Sequence, residues 1–94
     1  MPSLLIRHKV QTYDAWKAAF DEHASTRRAN GCQGGRIFRG TVDPPEVVIL
    51  LAWDDFERAR LFADSDDLRE AMERAGATDR PDVWVLMDGE RVPV

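Results

Sequence analysis

The segment from Val47 to Trp53 carries an apolar side chain at every position and is the longest such run in the chain. Because successive side chains of a β-strand point to opposite faces of the sheet, a strand of this composition is stable only where both faces are covered. Leaving one face in water would cost several kcal/mol, at about 25 cal/mol per Å² of apolar surface. A membrane helix needs about 20 residues, so this run is too short to span a bilayer, and no membrane contact is predicted. The segment therefore predicts a central strand that is buried on both sides.

The rest of the chain alternates strand-like and helix-like segments around this strand. The first half is predicted to contain a strand over 4–10, a helix over 13–30 capped by Thr12, a glycine-rich loop over 31–35 and a strand over 36–41. A turn over 43–45 leads to the strand over 47–53. A helix over 54–63 then begins at an Asp54–Glu57 capping box, a second helical segment runs from Ser65 to Gly76, and a last strand covers 82–87. This β-α-β-β-α-β order is typical of the ferredoxin-like α+β fold, with a four-stranded antiparallel sheet. Right-handed β-α-β crossovers then place both helical segments on one face of the sheet.

The opposite face of the predicted sheet receives no helix from this chain. The fourth predicted strand is also apolar over residues 83–87, so its outer face requires cover as well. A chain of 94 residues is one small domain that buries only about 60–65% of its unfolded surface, and it gains stability by associating. A second copy related by two-fold symmetry would cover the exposed face. We therefore predict a single domain over residues 1–94 that forms a homodimer through its sheet face.

The charge and the cysteine content exclude several functions. The chain has 13 basic and 17 acidic residues and a net charge of −4, which argues against binding to nucleic acid. RNA-recognition modules share the element order, but they stack bases on exposed aromatic side chains of the sheet, whereas the central strand here is aliphatic. The single Cys32 cannot form an internal disulfide and, with no signal-peptide pattern, predicts a cytoplasmic protein. No cysteine or histidine pair has metal-binding spacing, so neither a metal nor a cofactor is predicted.

Three side chains are candidates for acid–base catalysis. His8 shares a strand face with apolar residues, so burial would keep it neutral, as a general base near pH 7 must be. The alternative is a core histidine that bonds a backbone carbonyl or water. His23 lies on the apolar side of the first helix and is the second candidate. The alternative is a histidine on the flank of the helix near its C-terminal end, where a positive charge interacts favourably with the helix dipole. Tyr13 could relay a proton to His8 or simply pack on the sheet edge. The rise of about 1.5 Å per helical residue and 3.3 Å per strand residue places the two histidines at different heights, which disfavours a shared metal.

Aromatic side chains are numerous for so small a domain and could line a pocket for a planar ligand, although each is also an ordinary core residue. Arg27 could hold a carboxylate, as could Arg36 or Arg39, unless these arginines pair with acids across a dimer interface. The predicted substrate-binding residues are Trp16, Phe20, Arg27, Phe38, Trp53, Phe62 and Trp84.

The chain resembles the dimeric α/β-barrel superfamily, which includes the antibiotic biosynthesis monooxygenase-like domains. The resemblance covers nearly the whole chain and rests on the element order, the length and the stretches at residues 8–10, 13–17, 20–23, 36–39, 53–60 and 68–72. It implies two sheets that close into a barrel and a pocket in each subunit between sheet and helices. Relatives include cofactor-free oxygenases, aromatic polyketide cyclases, haem-degrading enzymes and proteins with no known reaction. The asparagine-and-tryptophan set of the oxygenase branch is missing, because the only asparagine is Asn30.

Two functions fit these observations. The first is a cofactor-independent enzyme for a small apolar or aromatic molecule, in which His8 acts as acid and base during a cyclisation or isomerisation, or in which the substrate is oxygenated. The second is a non-catalytic dimer that binds a metabolite or supports a partner. The first function requires a pocket of about 300 Å³ or more with His8 on its wall.

Overall fold

A computed structural model describes residues 1–94 of the protein. In chain order its elements are β1 (Ser3–Lys9), α1 (Tyr13–Glu22), α2 (Ala24–Asn30), β2 (Cys32–Arg39), β3 (Glu46–Trp53), α3 (Phe56–Ala63), α4 (Asp66–Arg74) and β4 (Asp82–Leu86). The strands form one four-stranded antiparallel sheet in the order β2-β3-β1-β4. The predicted ferredoxin-like α+β fold is confirmed. No helix is long and apolar enough to cross a membrane.

The hydrophobic core lies between the sheet and the helices. Along β1 and β3, alternate side chains are buried, and these residues face the helices. The largest of the fully buried side chains are Trp16 on α1 and Trp53 on β3. Phe62 on α3 packs on Trp53 with a ring-centroid distance of 4.9 Å. The helices therefore cover one face of the sheet, as the crossover rule predicts.

Three helices begin at side-chain caps that the sequence largely predicts. Thr12 accepts a hydrogen bond from the backbone N–H of Ala15, and Ser65 caps α4 in the same way. The capping box predicted at Asp54 is wrong by one residue, because Asp55 is the cap of α3. Asp54 instead donates its backbone N–H to the carbonyl of Gly31, and this bond ties the end of β3 to the end of α2.

The helix predicted over residues 13–30 is two helices, which meet at His23. His23 has φ −84° and ψ 0°, and its N–H is shared between the carbonyls of Ala19 and Phe20, so regular α-helical bonding ends there. The bend lets α2 pack on both β2 and α3. The helical segment ends at Gly31, where φ is +114°, and the predicted left-handed cap is confirmed.

The loop predicted over residues 31–35 is wrong, because β2 begins at Cys32. A bulge between Cys32 and Gly34 shifts the register with β3, and Gly34 has φ +98°. A Cβ at Gly35 would overlap the carbonyl oxygen of Leu50 on β3. The glycines that resemble a loop in sequence are therefore strand residues that permit a bulge and a close approach of two backbones.

The face of the sheet away from the helices carries a band of apolar side chains. Leu5 and Leu50 are half-buried on it, whereas Phe38, Trp84 and Leu86 are 43%, 48% and 39% exposed. We call this surface the open face.

The charged part of the open face is neutralised within the chain. Arg7 donates from Nη1 to Glu46 and from Nε to Asp82, each at 2.7 Å, and its Nη2 lies 3.3 Å from Asp79. The hydrogen bonds to Asp82 and then to Glu46 hold the pKa of Arg7 above its ordinary value. The apolar band is therefore the part of the open face that lacks a partner.

Candidate functional site

A small cavity of about 40 Å³ lies between the sheet and the helices. Eleven of its 14 lining residues are hydrophobic. The other three are His8, His23 and Arg27, so the cavity is an apolar chamber with three polar side chains on its wall.

His8 is completely buried on β1, and neither of its ring nitrogens has a hydrogen-bond partner in the protein. Burial lowers the pKa of His8 and is the largest influence on it. The negative charge of Asp79 opposes this effect, and the positive charge of Arg7 adds to it. The imidazole is therefore neutral near pH 7. Its edge meets the ring of Trp16, with 6.2 Å between ring centroids. No backbone carbonyl bonds His8, so of the alternative considered from the sequence, a core histidine satisfied by a backbone carbonyl or water, the first form does not hold.

His23 lies at the junction of α1 and α2 and faces the same cavity as His8. Its Nε2 is 3.6 Å from the Oδ2 of Asp67, just beyond hydrogen-bond distance, and its ring packs near Phe62. The heights estimated along strand and helix did not predict that both histidines line one cavity. No group of three or more metal-binding side chains occurs in the structure.

Tyr13 is not part of this cavity. Its ring lies beneath the guanidinium of Arg39, 3.8 Å from the ring centroid, and beside Trp16 at 5.7 Å. Trp16 in turn contacts His8, so the structure does not bring Tyr13 to the imidazole as a proton relay requires.

The predicted aromatic wall divides into three groups. Trp16, Phe20 and Phe62 line the cavity. Trp53 is buried outside its lining and donates from Nε1 to the carbonyl of Asn30 at 3.0 Å. Phe38 and Trp84 were also predicted to line the pocket, and this is wrong.

The reason is the register of the two outer strands. Ile37 of β2 pairs with Ile49 on the helix side, so the neighbouring Phe38 points to the open face. On β4, Val83 and Val85 pack against the core, which leaves Trp84 on the open face.

Arg27 is 9% exposed and forms no salt bridge. Its Nη1 donates to the carbonyl of Phe20 at 2.7 Å, and its guanidinium lies 3.7 Å from the centroid of the Phe20 ring. Burial lowers the pKa of Arg27 from its ordinary value, which leaves the group cationic. Arg27 stands between the cavity and a second, open space between α2 and β2.

This second space, here called the α2–β2 cleft, has a volume of about 550 Å³. It shares Phe20, Arg27 and Leu51 with the cavity and is otherwise lined by residues such as Arg28 and Arg36. The sequence did not reveal the cleft, because its β2 wall was predicted as a loop. The unbroken pairing of Gly35 and Ile37 with β3 provides that wall.

No family model matches the chain, and no curated protein matches it by sequence. Solved structures do match. A candidate antibiotic biosynthesis monooxygenase from Bordetella bronchiseptica is 18% identical over 95% of this chain and 97% of its own, with a TM-score of 0.72. A second candidate from Caulobacter crescentus is 17% identical over 95% and 90%, with a TM-score of 0.70. SnoaB, a cofactor-independent oxygenase from Streptomyces nogalater, is 15% identical over 99% and 97%, also with a TM-score of 0.70.

The protein therefore has the fold of the antibiotic biosynthesis monooxygenase-like proteins. The resemblance stated from the sequence is confirmed at the level of the fold. At these identities the comparison establishes the fold, and the function has to be argued from the site.

Proposed function

We propose that the protein binds a small, largely apolar or aromatic molecule between its sheet and its helices and acts on it without a cofactor, with His8 as acid and base. The observation that carries this proposal is a neutral, buried imidazole with both nitrogens unpartnered on the wall of a cavity. A polar group buried in this way costs stability, and such groups concentrate at functional sites.

The chemistry that suits this site is proton transfer at carbon. A neutral imidazole can accept a proton from a carbon next to a carbonyl group and return it at another position, which yields a cyclisation or an isomerisation. His23 lines the same cavity and is the second group placed to exchange a proton, while Trp16 and Phe62 form apolar walls. Oxygenation is the competing reaction, and the likeness to SnoaB supports it.

The size of the cavity favours the other candidate function, a non-catalytic metabolite-binding dimer. A volume of about 40 Å³ falls well below the roughly 300 Å³ that a drug-sized ligand requires. Catalysis at His8 therefore requires the cavity to open. Phe20 is the half-buried side chain that borders both the cavity and the α2–β2 cleft, so its rotation would connect the two spaces.

We also propose that a second copy of the chain covers the open face. The apolar band, which crosses all four strands, is available on every copy, and a two-fold axis would bury both bands at once. The helices already occupy the other face, so the association would leave both the cavity and the cleft accessible from the helical side.

Proton abstraction can be tested without knowing the natural substrate. In D2O, the exchange of the α-protons of phenylacetone can be followed by proton NMR. We expect the wild-type protein to accelerate exchange over buffer, and the His8→Gln variant to lose at least about a hundredfold of that acceleration. The His23→Gln variant tests the second group and should retain more of the acceleration than His8→Gln, and Arg91→Gln, in the exposed tail, is the control that should retain all of it.

Two outcomes would contradict catalysis by His8. One is equal acceleration by the wild-type protein and the His8→Gln variant. The other is no acceleration by the wild-type protein although phenylacetone binds, which would leave the non-catalytic function.

A further inference from the structure

The α2–β2 cleft has a one-sided charge. Its lining contains the side chains of Arg27 and Arg28 and no aspartate or glutamate, although acidic residues outnumber basic ones in the chain by 17 to 13. Arg36 contributes only its strand backbone, because its guanidinium lies over the Phe38 ring on the open face, 4.9 Å from the ring centroid. Neither Arg27 nor Arg28 forms a salt bridge, and Arg27 is the buried one of the two. The cleft therefore concentrates positive charge that the protein does not neutralise.

Arg27 is the buried member of this group, and its surroundings prepare it for a ligand. Its Nη1 is bonded to the carbonyl of Phe20, which fixes the guanidinium plane over the Phe20 ring. Nε and Nη2 donate to no protein group. The nearest acid along α1, Asp21, is bonded to Lys17 at 2.6 and 2.7 Å and does not pair with Arg27. A fixed cation with free donors at the base of a cleft is an incomplete ion pair.

The cleft also has an apolar part, next to Gln33 and the backbone of Gly34 and Gly35. Phe20, Ile37 and Leu51 supply its hydrophobic surface, and its volume of about 550 Å³ accommodates a bicyclic aromatic molecule. An inorganic anion would satisfy the arginines but would leave this apolar surface uncovered. A planar carboxylate attached to an aromatic body satisfies both, because the guanidinium fork matches the two carboxylate oxygens.

We propose that the α2–β2 cleft is a binding site for the carboxylate of an aromatic carboxylic acid, with Arg27 as the anchoring residue and Arg28 at the rim. This deepens the function proposed above, since Phe20 and Arg27 also border the cavity of His8. Carboxylate binding itself does not depend on His8, so the two proposals can fail separately.

The direct test compares 2-naphthoate with 2-naphthamide, which has the same shape and no charge. Titration of the whole ¹⁵N-labelled protein should show that 2-naphthoate binds at least tenfold more tightly, with shifts at the backbone amides of Arg28, Gln33 and Gly35. The Arg27→Met variant should weaken 2-naphthoate roughly ten- to a hundredfold and leave 2-naphthamide unchanged. Arg91→Gln, in the exposed tail, is the matched control, and His8→Gln should bind 2-naphthoate like the wild-type protein.

Cys32 provides a second readout that needs no variant. It is the only cysteine, and it lies in the lining of the cleft. Its alkylation rate by anionic iodoacetate, divided by the rate by neutral iodoacetamide, should be several-fold higher in the native protein than in the urea-unfolded chain. Bound 2-naphthoate should protect Cys32 from both reagents. Arg28→Gln, an exposed change that the fold tolerates, should lower the native ratio.

The proposal would be overturned by equal affinities for 2-naphthoate and 2-naphthamide. Inorganic phosphate that competes with 2-naphthoate at comparable concentration would equally overturn it, since the site would then recognise charge alone. If Arg27→Met does not fold, the wild-type probe comparison and the Cys32 rate ratio decide the question. If the wild-type protein accelerates proton exchange but does not bind 2-naphthoate, this site alone is refuted. If it binds 2-naphthoate but does not accelerate proton exchange, catalysis alone is refuted.

Discussion

At the scale of single residues, the fold buries His8 with no hydrogen-bond partner in the protein, and it buries Arg27 with one bond to a backbone carbonyl and no carboxylate. The charged cluster around Arg7, on the open face, is by contrast paired with carboxylates. The contrast matters because an unpartnered buried group lowers stability, and a folded protein tolerates few of them. Both residues line the small cavity, and Arg27 also lines the neighbouring cleft, which favours a functional explanation of both.

Burial of His8 predicts how stability depends on pH. The folded protein holds the pKa of His8 below its ordinary value, while the unfolded chain protonates His8 near pH 6.5. As the pH falls below about 6.5, the unfolded state takes up a proton that the folded state does not, so the free energy of unfolding falls by up to about 1.4 kcal/mol per pH unit. Urea denaturation between pH 8 and pH 5 should show this loss in the wild-type protein and a smaller loss in His8→Gln. Parallel pH profiles would contradict a buried neutral imidazole.

At the scale of elements, the sequence predicted the helix ends, which neighbouring residues determine. It missed the strand start and the side-chain faces, which pairing between strands determines. The cap at Thr12, the restart of the helix at Ser65 and the stop at Gly31 depend on neighbouring residues, and all three are confirmed. The start of β2 depends on the backbone of β3, and glycines alone predicted a loop there. The faces of Phe38 and Trp84 depend on strand register, which the sequence does not supply because Ile37 and Phe38, like Trp84 and Val85, are neighbouring apolar residues that point to opposite faces.

The close approach of β2 and β3 at Gly35 gives a prediction for this element. In Gly35→Ala, the new methyl group would overlap the carbonyl oxygen of Leu50, a backbone atom that cannot move without disturbing the ladder. We expect a loss of about 1–3 kcal/mol in the free energy of unfolding. Gly89→Ala is the matched control, because a Cβ there meets no atom within 4 Å, and its effect should stay within about 0.5 kcal/mol. Equal melting temperatures for the two variants would show that the strands separate freely at this point.

At the scale of the whole molecule, the sequence predicted the layers correctly, because a strand that is apolar on both faces leaves few possibilities. It could not predict the small size of the cavity, which depends on how Trp16, Phe20 and Phe62 pack together. It also could not predict the α2–β2 cleft, which depends on the break at His23 and on the early start of β2. The sequence therefore identified several residues of the site, and only the structure showed the size and shape of the spaces that they line.

The account depends most on the open face, since a sheet covered on one side only would expose the apolar band to water. Trp84→Glu places a charge within that band, on the edge strand β4 and on a side chain that is 48% exposed in the single chain, so the fold should persist. Leu61→Glu is the matched control, because Leu61 is 62% exposed on α3, in the helical layer.

The most direct measurement is the molar mass in dilute solution, by sedimentation equilibrium. We predict about twice 10.7 kDa for the wild-type protein and for Leu61→Glu, and a folded species of 10.7 kDa for Trp84→Glu. A wild-type protein that is folded and monodisperse at 10.7 kDa would contradict the account.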